Sequence, residues 1–272
     1  MRNPWNRHTF LFCRRLGVIA LAAGSLLLVL IHPVRAEGLP FSPGEEVRYD
    51  VRWQMYKAGE AVMRVLPFKE VQGQPAWHFE LKTTSNEFID LFYKVRDHLQ
   101  GFVAEDFSGS VGYRYSGTGK KKKEIRVEFS PGRAAYSNFD EHREPIDIPD
   151  GCFDPLSSYY KMRTLGMGEG QSLSFPVTDG KKFFVQKGDV LEKETVTTPA
   201  GTFDTVAVVP YVTHFSGVFS KSRNPTVRVW ITDDPRRIPV RIRIQVKVGC
   251  IYFDLRSYTP GPAGVGAETP PA

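Results

Sequence analysis

The residues best equipped for chemistry sit near the end of the chain, in residues 230–249, WITDDPRRIPVRIRIQVKVG. Asp233 and Asp234 stand beside Pro235, Arg236 and Arg237. Adjacent acids could hold a cation and paired arginines an anion. A calcium site needs about six to eight oxygen ligands, which this stretch does not supply. Acids beside a proline instead read as turn chemistry, and no metal site is expected here. Side-chain parity then sets a register. Val240, Ile242, Ile244, Val246 and Val248 share one face, and Val227, Val229 and Ile231 must join them. Pairing Ile231 with Val240, Val229 with Ile242 and Val227 with Ile244 makes residues 234–237 an even-membered hairpin corner. On the other face Trp230 meets Arg241, a candidate cation–π pair. Arg228 meets Arg243, a like-charge pair that calls for an acid or a ligand between them. After Val248 the apolar parity switches to Ile251, Phe253 and Leu255, by a two-residue turn at Gly249-Cys250 or by a bulge at Gly249. The turn would set Val248 against Ile251, Val246 against Phe253, Ile244 against Leu255 and Arg243 against Arg256. Arg228, Arg241, Arg243, Lys247 and Arg256 then form a basic stripe. It is either a solvated face balanced by acids on neighbouring strands or contact surface for an anionic ligand or partner. Trp230, Arg228, Arg241, Arg243 and Arg256 are accordingly ligand-binding candidates.

A second candidate lies in residues 211–220, YVTHFSGVFS, where Phe215, Val218 and Phe219 surround Gly217. A long loop of this composition could cap a barrel mouth and touch an apolar ligand, or tuck onto the core. Other motifs carry less. Residues 117–123, GTGKKKK, lack the spacing of a phosphate loop and read as a lysine-rich hairpin tip. His78, His98, His142 and His214 show no metal-ligand spacing. No G-x-S-x-G elbow is present. Asp140, Glu141 and Glu144 read as a solvent-facing loop rather than a glycosidase pair. No catalytic residue and no cofactor is expected, and a hydrolase with an unrecognised site ranks last among the readings.

The N-terminus is an address. Arg2, Arg7, Arg14 and Arg15 precede an apolar run, LGVIALAAGSLLLVLI, and residues 32–36, HPVRA, end in a small-residue pattern for cleavage after Ala36. The competing reading, a retained membrane anchor, needs a longer span. Cleavage also rewrites the charge. The full chain carries 36 Lys and Arg against 30 Asp and Glu, with a pI near 9.2. Five arginines (2, 7, 14, 15 and 35) leave with no acid, so 31 bases face the same 30 acids. A net charge of about +1 gives no global field toward polyanions, and no nucleic-acid partner is expected. The mature chain is then expected to be periplasmic and not membrane-spanning. Cys152 and Cys250 are left as a candidate disulfide, open between bridged and free.

The rest of the sequence must position these groups. Alternation dominates: Val47, Tyr49, Val51 and Trp53, then Ala61, Met63 and Val65, then Trp77, Phe79 and Leu81, then Ile125, Val127 and Phe129. Turn clusters separate them at residues 57–59, 73–75, 116–119, 130–132, 179–180 and 199–201. Many strands with short turns predict an all-β protein, mainly antiparallel, with a curled or closed barrel-like sheet. Two short helices interrupt it. One begins at residues 85–87 with Phe88, Leu91, Phe92 and Val95 at helical spacing. The other has Asp154 at N-cap and Pro155 at N1, with Gly166 able to end it. The expected layout is a signal in 1–36, one β-rich domain in 37–258 with two lobes split near 154–165, and a disordered tail in 259–272.

Several motifs together, PGEEVRYDVRW with AGEA, YKVRDH, DPLSSYY, TPAGTF and VRVWITDDPRRIPVRI, resemble an exported bacterial family known as domain of unknown function 3108. The likeness runs over nearly the whole mature chain. It implies an exported, β-rich, non-enzymatic protein and brings no catalytic residues. The expected role is binding or carrying a lipid-like or amphipathic envelope molecule. The alternative is an interaction or scaffold protein with an envelope protein partner.

Overall fold

The computed structural model describes residues 38–118, 122–211, 226–246 and 249–262. The expected signal segment, Phe215, Val218, Phe219, Lys247 and Val248 lie outside them, as do residues 263–272. From Gly38 onward the chain forms one compact unit.

Fifteen strands are present among the described residues. They are β1 (Glu46–Trp53), β2 (Tyr56–Val71), β3 (Gln74–Ser85), β4 (Arg96–Ala104), β5 (Ser110–Thr118), β6 (Lys122–Ser130), β7 (Arg133–Asn138), β8 (Glu141–His142), β9 (Ile146–Asp147), β10 (Ser172–Thr178), β11 (Phe183–Thr198), β12 (Gly201–Tyr211), β13 (Thr226–Thr232), β14 (Pro239–Gln245) and β15 (Cys250–Thr259). Of these, β1, β2 and β6 show the predicted alternation. Two helices, α1 (Glu87–Asp90) and α2 (Ser157–Thr164), complete the fold. Every strand pairing is antiparallel. The order is β10-β11-β12-β13-β14-β15-β1-β2-β3-β4-β5-β6-β7-β8, with β9 on β7. Two runs of sequential hairpins, β1–β9 and β10–β15, therefore meet where the first strand pairs with the last. In sequence, α2 lies between the two runs. Thr259, placed in the expected tail, pairs with Glu46.

The sheet does not close by strand pairing. Residues 152 and 153 stitch its β10 edge to β5 instead. Ser110 N–H donates to the Cys152 carbonyl (3.0 Å), Phe153 N–H to Pro176 (3.0 Å), and Thr178 N–H to Phe153 (2.9 Å). Cys152 is fixed here while Cys250 opens β15 opposite Gln245. Both are buried and free, so no bridge forms in this structure.

The N-cap position of α2 is Leu156 rather than the expected Asp154, but the Asp154 carboxylate ties down the entry turn. Its Oδ1 accepts the Leu156 and Ser157 N–H groups (2.9 Å each), and its carbonyl accepts Ser158 N–H at 2.9 Å. The helix stops at Leu165, one residue before Gly166. Tyr160 stacks on Phe79 with ring centres 3.8 Å apart and meets Phe41 edge-on at 5.1 Å, inside the larger core cluster. Met162 joins a second cluster under β10–β14. One short helix thus buries apolar surface against both halves.

Arg163 fastens the same helix to the hairpin corner. It is fully buried and pairs with buried Glu45, Nη1 to Oε1 at 2.6 Å and Nη2 to Oε2 at 3.0 Å. Its other donors reach the carbonyls of Pro40 (3.0 Å), Arg236 (3.0 Å) and Arg237 (3.1 Å). Arg237 answers by donating to the carbonyls of Arg163 (3.1 Å) and Leu165 (2.8 Å). A buried charge persists when all its donors are used in this way.

Candidate functional site

The Asp-Asp-Pro-Arg-Arg corner is a structural joint. Asp234 accepts from Arg236 N–H (2.9 Å), Arg236 Nη2 (2.6 Å) and Thr232 Oγ1 (3.0 Å), while Arg163 holds the backbone from below. Among the described residues no group of three or more His, Cys, Asp or Glu side chains is placed to hold a metal ion.

The parity register holds for Val227 with Ile244, Val229 with Ile242, Arg228 with Arg243 and Trp230 with Arg241. It shifts at the corner, where Ile231 pairs with Pro239 rather than Val240. The β14–β15 connection also differs. Gln245 pairs with Cys250, and Val246 N–H donates to Gly249 (3.0 Å) across a four-residue loop. Gly249 supplies the left-handed position, φ 82°. The apolar face survives because Ile244 now meets Ile251 and Ile242 meets Phe253. Arg243 consequently faces Tyr252 rather than Arg256, and Arg241 faces Asp254.

Acids balance most of the expected stripe. Asp254, 2% exposed, is clamped between Arg52 (2.5 Å) and Arg241. Glu194 takes Arg228 and the Trp230 indole N–H (3.0 Å). Arg256 reaches Glu60 at 2.7 Å. The cation over Trp230 is Arg228, 5.1 Å from the ring centre, because Arg241 turns to Asp254. Among the described members of this set Arg243 lacks a carboxylate; it touches Gln245 Oε1 and Cys250 Sγ, each at 3.5 Å. Arg228, Arg241 and Arg256 are thus paired with acids, and Arg243 is not.

A different feature stands out at one end of the sheet. The register puts Cys250, Trp53, Tyr56 and Ser85 there together. The β1–β2 turn is Gln54-Met55, with Gln54 at φ 56°, rather than residues 57–59. Ala58 is instead the extra residue of a bulge. Gly59 is needed because a Cβ there would lie 2.1 Å from the Thr84 carbonyl. That close approach seats α1 against the turn. Asn86 N–H donates to Ala58 (2.9 Å), Asn86 Nδ2 to Lys57 (2.6 Å), and Ile89 N–H to Asn86 Oδ1 (3.0 Å). Asp90 pairs with Arg96 at 2.6 Å, and Ser85 Oγ accepts Val95 N–H at 2.8 Å.

These bonds fix the backbone while its apolar side chains face outward. Met55 is 79% exposed, Tyr56 62%, Phe88 56%, Leu91 78% and Phe92 76%. The Phe88 and Phe92 rings meet each other, 5.6 Å apart. The helical spacing of Phe88, Leu91, Phe92 and Val95 predicts a longer helix; α1 has only four residues, Glu87–Asp90, and Leu91 and Phe92 follow it in a turn. Met55 and Tyr56 give no sequence signal beyond a lone Met-Tyr pair at a hairpin tip. The loop with Phe215, Val218 and Phe219 lies outside the described residues.

The comparisons with known proteins fit this fold. Residues 48–256 match the model of a family described as protein of unknown function, DUF3108. The chain belongs to the DUF3108 family. No curated protein matches. Among solved structures, this DUF3108 chain is similar to a β-barrel-like protein of domain of unknown function DUF1849 from Brucella abortus. The identity is 9% and the TM-score 0.50, over 80% of this chain and 98% of that one. It also resembles a Bacteroides fragilis protein with a YmcC-like fold (13% identity, TM-score 0.35, 81% and 98% covered). A hypothetical protein from Chlamydia trachomatis matches at 8% identity and TM-score 0.36, over 87% of this chain and 96% of that one. At such identities the first likeness bears on the fold alone, and it agrees with the curled antiparallel sheet of this DUF3108 member.

Proposed function

We propose that this protein is a non-catalytic, exported envelope protein that engages a lipid-like or amphipathic molecule through its α1 end. The observation that carries this reading is the cluster of Met55, Tyr56, Phe88, Leu91 and Phe92, each more than half exposed on backbone that is itself held rigid. Isolated exposed apolar residues need no explanation, but a contiguous group on two neighbouring loops marks an interaction surface. Aromatic side chains suit the boundary between lipid and water. Among the described residues no helix is long and apolar enough to cross a membrane, so contact of this kind would be peripheral.

Burying one large apolar side chain contributes about 1.5–3 kcal/mol. Replacing Phe88, Leu91 and Phe92 by serine should weaken binding to envelope-lipid vesicles by at least about 100-fold. Vesicle co-sedimentation of the protein purified from periplasm reads this directly. Native mass spectrometry of the same sample detects a carried molecule. Equal sedimentation of wild type and the triple variant, with no bound mass, would overturn the reading.

A further inference from the structure

A second site lies on the polar face of β3–β6, away from the α1 end. The β2–β3 hairpin is bulged between Leu66 and Lys69, and its ladder resumes from Lys69–Ala76 to the tip. Gln72 Nε2 pins the tip to the Phe129 carbonyl at 3.2 Å. Beside the tip is a cleft of about 320 Å³, whose lining includes Lys69, Phe102, Gly112, Arg114 and Arg126. Phe102 is its floor, 2% exposed and stacked on His78 at 4.7 Å. Gly112 lets its strand lie close against the ring, since a Cβ there would press on it at 3.3 Å.

Two cations share that ring. Lys69 Nζ lies 5.5 Å and the Arg114 guanidinium 5.7 Å from its centre. The register places Arg114 directly beside Arg126, which itself reaches only Glu124 at 3.8 Å. Among the described residues neither Lys69 nor Arg114 has a carboxylate within ion-pair distance. Glu70 and Glu128 also line the cleft without pairing with them. Elsewhere on this sheet the arginines Arg52, Arg64, Arg96, Arg228, Arg241 and Arg256 each have an acid. Like charges gathered over one ring repel, and among the described residues the N–H donors of Lys69 and Arg114 have no hydrogen-bond acceptor. A guanidinium fork beside an ammonium is the donor pattern that a phosphate or carboxylate group completes.

We propose that the Phe102 cleft is an oxyanion-binding site, in which Lys69 and Arg114 together hold a phosphate-type group. Phe102 keeps the two cations in place from beneath. His78 does not compete for the anion: burial, then the charge of Lys69, push it down to about 4, so it is neutral near pH 7. The same group could arrive as a free phosphate or as a lipid headgroup. The site is independent of the α1 end and does not rest on lipid contact there.

The test uses the purified protein at low fixed ionic strength, because salt screens exposed cations. Calorimetry with inorganic phosphate is run on wild type, on Lys69→Gln with Arg114→Gln, and on Arg133→Gln as an exposed control on β7. A parallel arm uses phosphatidylglycerol against phosphatidylcholine vesicles. Saturable phosphate binding that falls at least about tenfold in the double variant alone, and returns with Lys69→Arg, supports a free anion. Phosphatidylglycerol binding with the same dependence, without free phosphate binding, supports a headgroup. Binding that is unchanged in the double variant, or absent with both probes, overturns the proposal. Both substituted side chains are exposed, and an unchanged urea transition verifies the fold.

Discussion

Asp154 shows how one carboxylate can serve fold and pH response together. It accepts Ser110 Oγ–H at 2.6 Å as well as the two entry-turn bonds, all of which favour its charged form. Burial outweighs them and raises its pKa to about 6. A folded value above the unfolded one, about 3.9, means that the native state holds the proton more tightly. The stability this group adds is complete below about pH 4 and is lost as pH rises toward 6. His78 acts in the opposite sense, since burial and then Lys69 lower it from 6.5 to about 4. Its contribution is complete above its ordinary value and is lost as pH falls through the same window. Asp154→Asn removes the first effect and should leave a stability that climbs more steeply from about pH 4 to 6 than in wild type. Urea midpoints across that range measure it, and parallel profiles would refute the raised carboxyl. At this scale the sequence is half legible. Asp154 announces itself through Pro155, but Arg163 sits unremarked in YKMRTLG, because nothing local marks a cation whose partners come from residues 40, 45, 236 and 237.

Elements are read well where parity is the only constraint. The Val227–Ile244 and Val229–Ile242 pairs follow from alternation alone. The β14–β15 register does not, because moving Ile244 from Leu255 to Ile251 keeps every apolar side chain on its face. Only loop length distinguishes the two, and that depends on where Gly249 can take its positive φ. Short helices are the other blind spot: α1 is set by Asn86 and by contacts with β2, so its apolar spacing says nothing about burial. The joint between α2 and the hairpin corner can be tested as a unit. Arg163→Met strands the Glu45 carboxylate and should cost about 3–5 kcal/mol in urea denaturation. Adding Glu45→Leu should recover most of that loss. A double variant as weak as the single one would show that the carbonyl contacts, not the ion pair, hold the joint.

For the whole molecule, the strand order was beyond the sequence, because no local pattern tells β1 to lie beside β15. The two ends of the described chain also meet: Ser42 Oγ–H donates to the Pro262 carbonyl at 3.4 Å, and a Cβ on Gly44 would touch Pro262. A circular permutant opened between Gly168 and Glu169, with a flexible link from the tail to Gly38, would run through the sheet in plain sequential order. It should fold with one cooperative urea transition and lose no more than about 2 kcal/mol, since the cut falls in an exposed connection. Opening within β15 instead should abolish folding. The native arrangement has a temporal side. A chain that emerges from a pore N-terminus first releases β1 at the start and its partner last of all. Until then β1 offers one bare hydrogen-bonding edge, an invitation to wrong partners. Completion of the sheet therefore waits on the final strand, and a chain truncated before Cys250 would remain two open halves with no seam to join them.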